Sequence, residues 1–91
     1  MTVDILGVPF AVRLVESAEL PRGSSGLCDP GRAVLSVEKG FSEAVTRRLV
    51  LHEIIHAIED ALDLELTEEQ VVGLAAGLQS IPQLSLELGG K

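Results

Sequence analysis

The chain has 91 residues, 46% of them apolar, and its 14 acidic residues outnumber 7 basic ones for a net charge of −7. This length predicts one domain, residues 1–91, with a limited core. The apolar content argues against disorder, and the acidic balance argues against nucleic acid as a partner.

Val3 to Leu6 and Phe10 to Val15 are rich in Val, Ile and Leu and are separated by Gly7-Val8-Pro9, which predicts two strands in a hairpin or bent ribbon. Pro21 to Ser25 are breakers and predict a loop, and Asp29-Pro30-Gly31 predicts a turn. Ala33 to Glu38 read as a further strand, with Ala33, Leu35 and Val37 on one face, closed by Gly40. Ser42 then offers a helix N-cap. Apolar residues at 45, 49, 54, 55, 58, 61 and 62 follow the helical period. Thr67-Glu68-Glu69-Gln70 is a capping-box pattern and opens a second helix, which ends near Ser80 ahead of Ile81-Pro82. The tail, 83–91, alternates leucines and reads as a short strand, a docked segment or a frayed end. Strands first and two helices after predict an α+β fold, a small antiparallel or mixed sheet packed against two helices.

With two Phe and no Tyr or Trp, the core is aliphatic. The single cysteine, Cys28, excludes an internal disulfide and fits a reducing compartment. No signal-peptide pattern opens the chain, and no apolar run reaches membrane-spanning length, so a cytoplasmic protein without a membrane partner is expected. Oligomeric state is not encoded in any feature of the sequence.

The chemistry lies in His52-Glu53-Ile54-Ile55-His56, an HExxH motif inside the first predicted helix. Residues at i and i+4 share a helix face, so the two imidazoles can converge on one metal ion. Glu53 is rotated from His52 by about 100° and sits beside the ion, where it can polarise a bound water. These are the only histidines of the chain. Imidazole with carboxylate ligands and an open position suits zinc.

A catalytic zinc site needs a third protein ligand. With no third histidine, the candidates are Glu59, Asp60, Asp63, Glu65, Glu68, Glu69 and Glu87. Glu59 and Asp60 continue the motif helix and are expected to point away from the metal or to act behind its ligands. Glu68 is the first choice because it shares a face with Val71, Val72 and Ala75. Glu69, sharing a face with Val72, Gly73 and Ala76, is the alternative. Glu68 can reach the metal only if the first helix ends early, near Ala61, with residues 63 to 67 curling back.

A strand, a helix with His52-Glu53-x-x-His56 and a second helix bearing Glu68 together resemble the gluzincin metallopeptidases. The likeness is closest to their smallest members, the minigluzincins and ImmA/IrrE-like proteins, which are common in phage and prophage genomes. It covers about residues 26 to 80. The resemblance implies zinc held by His52, His56 and a glutamate, Glu53 as general base and acid, and a peptide or protein substrate. It also implies that the strand before the motif helix pairs with substrate backbone through an exposed edge. The chain departs from the larger peptidases in lacking a Tyr or spare His for the oxyanion; Arg32, Arg47 or Arg48, zinc alone, or a partner chain would have to serve. It also lacks the downstream Asp that often supports a ligand in that family. A zinc-stabilised binding or regulatory module with little catalysis is the second reading. Cys28 is a candidate latency thiolate, or else a small buried hydrophobe.

Overall fold

The computed structural model describes residues 1–81, so the tail 83–91 lies outside the described residues. The fold is α+β: four strands, then two helices. The strands are β1 (Thr2–Ile5), β2 (Val8–Val15), β3 (Gly26–Asp29) and β4 (Val34–Glu38), and the helices are α1 (Glu43–Ala61) and α2 (Glu68–Gln79). A single 3₁₀ turn, Ser17–Glu19, follows β2.

The sheet is mixed, in the order β1-β2-β4-β3. β1 and β2 form an antiparallel hairpin in which Ile5 pairs with Val8. Its two loop residues, Leu6 and Gly7, both have positive φ (50° and 85°), as a tight hairpin turn of the favoured twist requires. β4 runs parallel to β2, and β3 pairs antiparallel with β4. The expected Asp29-Pro30-Gly31 turn is present, and it joins β3 to β4. Its chain reversal is closed by the Arg32 amide donating to Asp29 and by Ala33, which adopts φ 55°.

β3 has no counterpart among the predicted strands, and its presence corrects one expectation. β4, the strand before the motif helix, lies between β2 and β3 and has no free edge. Among the described residues, the edge on that side belongs to β3.

α1 packs on the sheet over β3 and β4. Its contact cluster joins Ile5, Phe10 and Leu35 to Ala57, with Val12, Cys28, Ile54 and Ile58 around them. α2 packs on the other side of α1, where Leu51 and Ile55 meet Val71 and Ala75. The helix α1 is therefore the middle layer, buried through Val50, Leu51, Ile55 and Ala57, whereas Val45 and Leu62 remain exposed. Burying aliphatic side chains of this size stabilises by roughly 1.5–3 kcal/mol each, so both faces of α1 are anchored.

The motif helix ends early. Ala61 is its last residue, and Asp63 adopts the left-handed conformation (φ 54°). The Leu64 amide bonds back to Glu59 O (2.9 Å) and the Asp63 amide to Asp60 O (3.3 Å). This is a Schellman closure with Asp in the place glycine usually takes. The chain turns back through residues 64–66, and Thr67 starts α2 with both capping-box bonds to Gln70 formed. Among the described residues, no helix is long and apolar enough to cross a membrane.

Candidate metal centre

His52 and His56 lie one turn apart on α1, and their Nε2 atoms face each other at 3.2 Å. Glu68 comes from the first turn of α2. Its Oε1 lies 2.6 Å from His52 Nε2 and its Oε2 3.6 Å from His56 Nε2. Ligand atoms from all three residues fall within 4.8 Å of one another, so the group could hold a metal ion. Tetrahedral bonds of about 2.0–2.1 Å place ligand atoms about 3.3 Å apart. The observed separations bracket that value. Three donors converge from two elements, leaving the cleft side open.

Glu68 reaches this position because Val71 and Ala75, fully buried on the same face of α2, seat that face against α1. Val72, expected to share the inward face, is 51% exposed. Glu69 is exposed and is not part of the group. Among the described residues, Asp63 and Glu65 are likewise outside it. Glu87 lies beyond the described residues.

Glu53 is 6% exposed, beneath β3. Gly26 makes room for its carboxylate: a Cβ there would meet Glu53 Oε2 at 2.5 Å. Burial pushes the Glu53 carboxyl up to about 7, with Glu68 adding to the shift and His56 opposing it. A carboxylate balanced near neutrality can both take and return a proton.

The three residues and Glu53 line a cleft of about 630 Å³. One wall is β3, through Gly26, Leu27 and Cys28; Asp60, one turn beyond His56, extends the floor, and Gly23, Ser24 and Pro30 form the rim. Cys28 packs partly against the core. Its thiol is pushed up to about 11, first by burial and then by the charges of Glu53, Asp60 and Asp29. A protonated thiol is a poor metal ligand, and Cys28 is not part of the metal-holding group. None of Arg32, Arg47 and Arg48 lines the cleft. Arg48 instead donates to Gln79 Oε1 (2.6 Å), tying α1 to α2.

Of the two places expected for Glu59, the structure gives it the one behind a ligand of the group. Its Oε1 lies 3.1 Å from His56 Nδ1, and its Oε2 accepts the Leu66 amide at 2.8 Å. The i+3 spacing from His56 was the available signal. The missing downstream Asp therefore does not leave both histidines without a supporting carboxylate.

Compared with known proteins, the chain matches no family model, no curated protein and no solved structure.

Proposed function

We propose that the chain is a zinc-dependent peptidase of gluzincin-like design, with His52, His56 and Glu68 holding the ion and Glu53 moving the proton. The observation that carries this reading is the position of Glu53: a buried carboxyl beside the His-His-Glu group, opening onto the same cleft. A purely structural zinc site fills four protein positions and has no need of such a group. Three ligands with an adjacent carboxylate suit hydrolysis.

Zinc, when bound, lowers the pKa of its water and polarises a carbonyl oxygen. Glu53 accepts the proton of the attacking water at its carboxylate and donates it to the leaving amine. Edge strand β3 pairs with the backbone of an extended substrate, main chain to main chain, directly beside Glu53. The open cleft suits a segment of unfolded protein.

The second reading, a zinc-stabilised binding module with little turnover, is favoured by one observation. Among the described residues, the cleft lining contains no Arg, Lys or Tyr to steady an oxyanion, and such a donor contributes about 3–4 kcal/mol in other hydrolases.

Wild type and Glu53→Gln, both loaded with zinc, distinguish the two on a set of unfolded protein substrates. The peptidase reading expects zinc retained in both and hydrolysis lost in the variant. Equal inertness of both proteins contradicts it.

A further inference from the structure

We propose that Glu59 is a positioning residue that assembles the metal centre, orienting His56 and delivering Glu68 through the same carboxylate. The proposal rests on the metal-binding part of the reading above and not on catalysis.

The ligands come from two helices joined by a short reversal, and Glu59 touches both sides of it. Its backbone carbonyl accepts the Leu64 amide that closes α1. Its side-chain Oε2 accepts the Leu66 amide at 2.8 Å, seven residues on. Its Oε1 faces His56 Nδ1 at 3.1 Å. Leu66 packs partly into the core between the helices, and Thr67 and Glu68 follow it directly. Few degrees of freedom then separate the Glu59 carboxylate from the Glu68 carboxylate.

A surface Glu three residues after a His commonly makes a weak helical pair and nothing more. Glu59 differs in two ways. Its side chain is only 18% exposed, and it has a second, non-helical partner. An ionised carboxylate only accepts, so it requires a proton on His56 Nδ1. That leaves the Nε2 lone pair, the one facing His52 and Glu68, free to ligate. Partners of this kind behind a ligating histidine fix its tautomer, and their loss typically costs 10–100-fold in metal affinity.

Glu59→Gln tests this, because the side chain keeps its shape but has one oxygen for two donors. Either the amide nitrogen faces the Leu66 N–H, donor against donor, or it faces His56 Nδ1 and favours the wrong tautomer. Zinc affinity, measured by competition with a chromophoric chelator, is expected to fall about 10–100-fold. Amide exchange at Leu66 is expected to accelerate. In metal-free wild type under mildly alkaline conditions, ¹⁵N shifts of the His56 ring are expected to report the Nδ1–H tautomer.

Unchanged affinity in Glu59→Gln overturns the proposal, as does an Nε2–H tautomer of His56 in wild type. If the variant does not fold, Leu66 exchange loses its comparator and the tautomer in wild type still decides. If wild type takes up no zinc, the metal reading fails while those two measurements continue to test Glu59 on its own.

Discussion

Gly26 and Glu53 fit together because Gly26 has no side chain: a methyl group at that position would lie 2.5 Å from Glu53 Oε2 and 3.0 Å from its carboxyl carbon. β3 cannot easily recede, since Gly26 pairs with Val37 and its carbonyl accepts the Ser24 hydroxyl at 2.6 Å. In Gly26→Ala the Glu53 carboxylate is therefore the part that moves. Zinc binding is expected to persist, while hydrolysis falls on the order of 100-fold, the usual consequence of a 1 Å misplacement. Steady-state kinetics alongside metal analysis check this; full activity in Gly26→Ala would contradict the role given to Glu53.

Glu53 also gives the metal-free protein a distinctive pH dependence. Its folded-state value, about 7, lies above the ordinary 4.5. Between those values the folded chain binds more protons than the unfolded chain, so stability falls as pH rises. Metal-free wild type is expected to lose melting temperature from about pH 4.5 to 7, and Glu53→Gln to lose most of that slope. Glu59 has the opposite sign: its carboxyl is held low, so its contribution is present above 4.5 and lost on further acidification. Identical slopes in wild type and Glu53→Gln between pH 4.5 and 7 would remove the basis for a raised Glu53.

Cys28 makes a separate prediction. A thiol shifted from 9.0 to about 11 carries on the order of 100-fold less thiolate near neutrality. Alkylation of Cys28 by iodoacetamide in the metal-free native protein is expected to be slower than in denaturant by about that factor. Equal rates would show a reactive thiol in the cleft and revive its role as a blocking ligand.

Much of this arrangement is legible in the residues themselves. The HExxH spacing locates both imidazoles, the Thr67-Gln70 capping box marks where α2 begins, and the demand that Glu68 reach the histidines requires α1 to stop near Ala61. Asp63 stops it by adopting the left-handed conformation, which Asp tolerates better than most residues. The strand β3 is not legible. Gly26-Leu27-Cys28-Asp29 is four residues between two breaker clusters, and its formation depends on pairing with β4. Without β3, β4 looks like an edge, which is why an exposed edge was expected there. Glu59 was expected behind the ligands as one of two alternatives, but how it is held there was not legible. Its second partner, the Leu66 amide, is brought near only by the chain reversal.

The central claim is that one metal ion is held jointly by α1 and α2 through His52, His56 and Glu68. The most direct test is zinc content by elemental analysis of wild type, Glu68→Ala and Glu69→Ala, purified side by side after zinc is supplied. The account predicts stoichiometric zinc in wild type and Glu69→Ala and its loss in Glu68→Ala. No zinc in wild type, or undiminished zinc in Glu68→Ala, would contradict it.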